Sequence, residues 1–190
     1  MRRRTTLDSA TVVQMAVNLL DAEGPAALSL GRLAERLGVQ TPSLYNHIGG
    51  LPDLERRLAL RNLHMLAVCM GDAVMGRSGV DALLAMAEAY RTFIKQHPGL
   101  YMTSLRAGRT ERAPDSELIA AEDRVVRVVL AVLSSLGVQD ADAIHAARGL
   151  RSIVHGFATL EIAGGFGLPL DCDESFSRLM HTWVAGLHKG

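Results

Sequence analysis

Residues 38–50 read GVQTPSLYNHIGG. Gly38 opens the stretch, Thr41-Pro42 starts a helix, and Gly49-Gly50 ends it a few residues later. Proline does no harm in the first helical turn, where its missing N–H would have had no partner. Counting 100° per residue, Leu44 and Ile48 fall on one face and must join Val39 in a small core. Pro42, Tyr45 and Asn46 point the other way. Ser43 lies to one side, and His47 sits nearer the inward face in the last turn. The helix thus has a mooring face and a free polar face.

The preceding residues supply the core it leans on. Val12, Met15, Ala16, Leu19 and Leu20 recur at three and four, the period of a helix. That helix starts near Asp8 or Ser9, both good caps, and ends at Gly24-Pro25. Leu30, Leu33, Ala34 and Leu37 form a second stripe, capped by Ser29 and stopped by Gly38. Only Gly38, Val39 and Gln40 link the second helix to the third, which forces the sharp crossing of a helix-turn-helix. In that motif the second helix of the pair enters the DNA major groove by its N-terminal half. The free side chains suit this. Asparagine pairs with adenine at two points, and hydroxyls take either role. Tyr45 can donate to a phosphate, and Pro42 can pack on a thymine methyl. Candidate DNA contacts are Arg2, Arg3, Arg4, Ser29, Gln40, Thr41, Pro42, Ser43, Tyr45, Asn46 and His47. The simpler reading of each is a solvated helix face, a helix-end histidine and a disordered arginine tail.

The remaining chain keeps the helical period. The fourth helix is expected from Pro52 to about Gly76, and others at about 80–97, 100–106, 115–136, 140–163 and 173–187. His97-Pro98-Gly99 reads as a stop, and residues 106–114 as a polar loop. The fold class is all-α, of about nine helices, with a change of character near residue 50 that sets residues 1–50, read as a DNA-binding domain, apart from residues 51–190. The 190 residues are 48% apolar, enough for a core without disulfides or metal. Their formal net charge is +0, which disfavours indiscriminate polyanion binding. Cys69 and Cys172 show no metal-type spacing and read as small apolar residues of a reducing compartment. No apolar run approaches the length of a membrane span and no signal peptide is evident, so a cytoplasmic location is expected. No cofactor or metal is expected. No nucleophile–base set, phosphate loop or His/Glu metal pair argues for an enzyme.

The segment TVVQMAVNLLDAEGPAALSLGRLAERLGVQTPSLYNHIGGLPDL resembles the DNA-binding domain of TetR-family transcriptional regulators. The glycine near position 24, the Ser29 cap, "LAERLGV", "LYNH" and the start of a long fourth helix carry the likeness. It covers roughly residues 9–60. Where the family often places a phosphate-binding lysine, this chain has Leu51. Asp53 and Glu55 are expected to weaken attraction to a phosphate there. Residues 1–50 carry five arginines (2, 3, 4, 32, 36) against four acids (8, 21, 23, 35), so operator affinity is expected to be modest and dimer-dependent.

In the second part, VVRVVLAVL is apolar around most of its circumference and reads as a helix buried on most sides. With the fourth and fifth helices it is expected to wall a cavity for a small apolar or amphipathic effector. Candidate lining residues are Met65, Met70, Met86, Tyr90, Phe93, Tyr101, Leu105, Val129 and Leu133, with ordinary core as the alternative. Arg124, Arg127 and His155 are candidate polar anchors, or else surface and interface residues. Phe176, Met180, Trp183 and Leu187 fall on one face of the last helix, and Leu150, Val154, Ala158 and Ile162 stripe the one before. "HGF..LE..GGF" and the acidic, Phe-containing last helix resemble a C-terminal subgroup of the same family. The resemblance implies that these two helices pair with a second copy in a four-helix homodimer interface. The functional expectation is a ligand-responsive repressor that binds a palindromic operator in double-stranded DNA. The alternative is a dimeric small-molecule-binding protein that binds no operator.

Overall fold

The computed structural model describes residues 7–107 and 115–187. Among them the chain forms nine α-helices and a 3-10 turn, with no strand. The helices are α1 (Ser9–Glu23), α2 (Leu30–Leu37), α3 (Thr41–Leu44), α4 (Leu51–Val74) and α5 (Gly79–Gln96). They continue with α6 (Pro98–Ala107), α7 (Ser116–Ser134), α8 (Asp140–Ile162) and α9 (Cys172–Leu187). The all-α reading holds. Contacts gather them into two units. One holds α1–α3, α4 as far as Asn62, and α6; the other holds the rest of α4, α5, most of α7, α8 and α9.

In the first unit the signals at the helix ends work as read. The Asp8 carboxylate accepts from the Thr11 N–H at 2.7 Å, and the Ser29 hydroxyl accepts from the Arg32 N–H at 3.3 Å. Gly38 ends α2 at φ +68°, a left-handed conformation that favours glycine. Val12, Ala16, Leu20, Leu33, Leu44, Ile48, Leu54 and Leu58 bury one continuous apolar face.

His97-Pro98-Gly99 ends α5 as read, the helix stopping at Gln96. Pro98 also opens α6 at once, two residues before the expected start at 100. The new helix packs on α1. The Asp21 carboxylate accepts from the Leu100 N–H at 3.0 Å and pairs with His97 Nδ1 at 2.8 Å. It thereby satisfies one of the free donors at the start of α6. Gly99 is buried so closely that a Cβ there would lie 1.9 Å from the Leu20 carbonyl oxygen.

The start of α7 is tied to α4 by charge. Arg56 donates to both oxygens of Asp115, at 2.5 and 3.1 Å, and to Glu117 at 2.7 Å. Asp115 also accepts from the Glu117 and Leu118 N–H groups at 3.1 and 3.2 Å, capping α7. The Arg56 hydrogen bond and these backbone donors hold the Asp115 carboxyl down to about 2. A depressed carboxyl favours the fold only while ionised. Its contribution is complete above the ordinary aspartate value of about 3.9 and vanishes as pH falls through about 2. Urea unfolding of Asp115→Asn beside the unaltered chain is expected to show a stability gap at neutral pH that closes across that acid window. A gap of constant size would rule the pair out as its source.

The second unit is built on α5, α8 and α9. Arg91 of α5 has a side chain only 1% exposed. It donates to Glu161 of α8 at 2.8 and 2.9 Å and to Asp173 of α9 at 2.7 Å. Glu88 lies 3.4 Å away, and Lys95 adds a 2.6 Å contact to Glu161. The guanidinium sits over the rings of Phe157 and Phe176, at 5.3 and 4.9 Å from their centroids. Burial by itself would depress the Arg91 pKa, but the bonds to Glu161 and Asp173 outweigh it and raise it. Gly149 leaves room for the Trp183 indole, whose Nε1 would stand 3.3 Å from an added Cβ.

Helix α7 departs from the reading of a helix buried on most sides. It buries Ala121, Val129, Val132 and Leu133, while Ile119 and Val126 are 46% and 42% exposed. Arg124 and Arg127 are also exposed. Its valines record helical period and apolar content, but only one side of the helix meets neighbours.

Candidate nucleic-acid interface

The candidate surface is the outward side of α3 and its continuation. Gln40 stands at the N-cap position and makes no side-chain cap bond, so Thr41 and Pro42 are the first two helical residues. Gln40, and not Thr41, therefore occupies the cap position. After Leu44 the chain tightens: the N–H groups of Tyr45, Asn46 and His47 donate to the carbonyls of Pro42, Ser43 and Leu44 at 3.3, 3.4 and 2.9 Å. These i to i+3 bonds are the tighter turn common at helix ends. Ile48 N–H returns to the Leu44 carbonyl at 3.0 Å. Leu44 and Ile48 are buried, as their spacing required.

Gln40, Pro42, Tyr45 and Asn46 are exposed; Ser29, Thr41, Ser43 and His47 are half-buried. Tyr45 is 60% exposed, and its ring edge lies 3.8 Å from where a Cβ on Gly50 would stand. Gly50 itself is at φ +93°. Arg2, Arg3 and Arg4 lie outside the described residues.

Electrostatics around this face differ from the sequence reading. Asp53 accepts from the Gly49 N–H at 2.9 Å and pairs with Arg57 at 2.8 Å. Arg57 in turn donates to the Ser9 hydroxyl at 2.6 Å. The Asp53 charge is thus matched inside the fold instead of standing free beside the turn. Arg32 and Arg36 of α2 both bind the Glu23 carboxylate, so two of the five expected cations are already paired.

The candidate ligand residues separate between the units. Tyr101 and Leu105 belong to the first; Met65, Met70, Met86, Tyr90, Phe93, Val129 and Leu133 belong to the second. All are buried except Met65 and Leu105, which are half-buried. None borders the open hollow of about 440 Å³ in the second unit, whose walls include Gly71, Val74, Arg124, Arg127, Val128 and Val132. Two of the three expected polar anchors therefore stand on a hollow that the methionines do not reach. His155 is half-buried elsewhere on α8, and burial lowers its pKa.

The candidate dimer residues need correction. Leu150, Val154, Ala158, Phe176 and Met180 are buried within the single chain, at 0–2% exposure. Side chains already enclosed this way have no surface to offer a second copy. Of the set, Ile162 is exposed, and Trp183 and Leu187 are half-buried. The helical stripe marked the internal face; the outward residues carried no such pattern. Among the described residues, no cluster of acids, cysteines and histidines fit to hold a metal occurs, and no helix is long and apolar enough to cross a membrane.

A short helix with a polar outer face, set by a tight turn against a capped neighbour, is a helix-turn-helix. A family model described as Tetracyclin repressor-like, C-terminal domain, matches residues 83–183. The HTH-type transcriptional regulator YobS of Bacillus subtilis (strain 168) is 37% identical over 188 residues, covering 98% of this chain and 96% of its own. An HTH-type regulator of Mycobacterium tuberculosis, Rv0681, is 35% identical over 187 residues, covering 98% of this chain and 84% of its own. A solved structure of a possible TetR family transcriptional regulator from Streptomyces coelicolor A3(2) matches in fold. Its TM-score is 0.72 at 23% identity, covering 95% of this chain and 98% of that one. The chain belongs to the TetR family of transcriptional regulators: it is a DNA-binding regulator and not an enzyme.

Proposed function

We propose that this regulator is a ligand-responsive repressor that binds a palindromic operator as a homodimer. Residues 1–50 hold the DNA-contacting surface, and residues 51–190 serve regulation and dimerisation. The observation that carries this reading is the outward face of α3, where Pro42, Tyr45 and Asn46 are exposed while Leu44 and Ile48 are buried. The family description, repressor-like, supports the sign of regulation. Outward apolar residues on the last two helices, Ile144, Ile162 and Leu179, together with half-buried Trp183, support pairing with a second copy. A symmetric pair presents two copies of α3 to half-sites one helical turn apart, about 34–36 Å. A ligand that binds the other spacing better shifts the population and releases the operator.

Selection of bound sequences from random duplex DNA tests the reading. The expected result is an enriched inverted repeat with that half-site spacing, bound by a dimer in sedimentation. No enrichment would leave the alternative, a dimeric ligand-binding protein without an operator. On the selected sequence, Asn46→Ala is expected to weaken binding by about 1–3 kcal/mol, the discrimination of one two-point base contact. Sedimentation of the dimer should not change. An unchanged gel-shift midpoint would remove Asn46 from the interface.

A further inference from the structure

The hollow of the second unit has a chemical asymmetry that identifies an occupant. Its α7 wall presents Arg124, Arg127, Val128, Ala131 and Val132, which share a sector of roughly 140° at 3.6 residues per turn. Val74 and Ala82 continue the apolar floor, and Gly71 opens it further, with nothing within 4 Å of where its Cβ would stand. Three arginines line the hollow and no acid does. Arg77 is held by Asp81 at 3.0 and 3.2 Å. Arg124 and Arg127 meet no carboxylate among the described residues. They stand one turn apart on α7, the spacing at which like charges repel. A guanidinium pair is the side-chain chemistry that grips a carboxylate at two points. The volume, about 440 Å³, falls in the range of small-molecule sites, roughly 300–1,000 Å³.

We propose that this hollow binds an amphiphilic monoanion, with an apolar chain on Val74, Val128 and Val132 and a carboxylate head between Arg124 and Arg127. Charge complementarity decides against an uncharged apolar ligand, which would leave both arginines of this wall without an anionic partner. It also decides against a cationic one. The head remains at the rim, in water, so it is not desolvated outright; the chain leaves water along the valines. A regulatory consequence of binding rests on the ligand-responsive reading above, whereas the binding itself does not.

Isothermal titration calorimetry on the full chain without DNA tests this, using sodium decanoate, 1-decanol and decyltrimethylammonium at one ionic strength. Decanoate is expected to bind saturably, one per chain, and at least about fivefold more tightly than decanol, the scale of ion pairs at a water-exposed rim. The ammonium should bind more weakly than decanol. The double substitution Arg124→Gln/Arg127→Gln should reduce decanoate to the level of decanol and leave decanol unchanged. Ala131→Phe, at an exposed position, should block decanoate and decanol alike, and serves if the double variant fails to fold. Decanoate and decanol binding within twofold of each other would overturn the proposal. So would decanoate binding that both variants leave unchanged, or no saturable binding. A gel shift on the selected operator then separates the two readings. Decanoate that binds but leaves the DNA complex intact keeps the site and removes decanoate-type anions as effectors. Absence of any operator removes the repressor reading and leaves the calorimetry to decide the site.

Discussion

Arg91→Ala is expected to lower the unfolding free energy by about 3–5 kcal/mol, the cost of removing one partner from a buried ion pair. Its three acids do not contribute alike. Asp173 and Glu88 have side chains 78% and 54% exposed, so water screens them and re-solvates them easily. Glu161 is 13% exposed and bound at two points, so it is the charge left stranded. Lys95, at 2.6 Å, remains to compensate it in part. The two phenylalanine rings lose the cation between them as well. Urea unfolding followed by circular dichroism should show the midpoint falling far more for Arg91→Ala than for Asp173→Asn. Arg91→Lys should fall between them, because an ammonium keeps the charge but not the planar two-point fork. Equal losses for the alanine and the asparagine variants would mean that Glu161 is not the partner that matters.

Gly99→Ala should cost at least as much as the upper part of the overpacking range, about 1–3 kcal/mol. The added methyl would meet the Leu20 carbonyl oxygen at 1.9 Å and its carbon at 2.2 Å. Both are backbone atoms, so no side chain can rotate aside. Either α6 withdraws from α1 or the end of α1 unwinds. Withdrawal would also break the two contacts of Asp21, to Leu100 N–H and to His97. Thermal unfolding should show the loss. Gly71→Ala is the control, because that position is helical and has open space where its Cβ would stand. It should be neutral or slightly stabilising, alanine being the better helix former. A Gly99→Ala chain as stable as its parent would mean that the helices separate without cost.

What could be read from the sequence follows from what leaves a local trace. Asp8, Ser29 and Gly38 act within their own turns, and each sits where its chemistry predicted. The inward faces of α1, α2 and α3 were legible because helical period records burial. The same property misled at α8 and α9. Leu150, Val154 and Phe176 marked a buried stripe correctly, but period cannot say whether the neighbour is another helix of the chain or another chain. Helix α7 misled in a different way, since valine content exceeds what its neighbours cover. Long-range pairs left no trace at all. Asp21 with His97, Arg56 with Asp115 and Arg91 with Glu161 join residues that have no local relation. The two arginines of the hollow were visible as polar residues three apart on one face of an apolar helix, but the hollow in front of them needed α4 and α5 in place.

The mooring of α3 by Leu44 and Ile48 separates two properties that many binding surfaces entangle. Pro42, Tyr45 and Asn46 are exposed and lie outside the core that holds the segment. On the proposed reading, substitutions at these three positions redraw sequence preference while folding free energy stays almost where it was. A new operator is then reachable through single steps that never pass through an unfolded protein. The scaffold would then stay fixed while the recognition code changes.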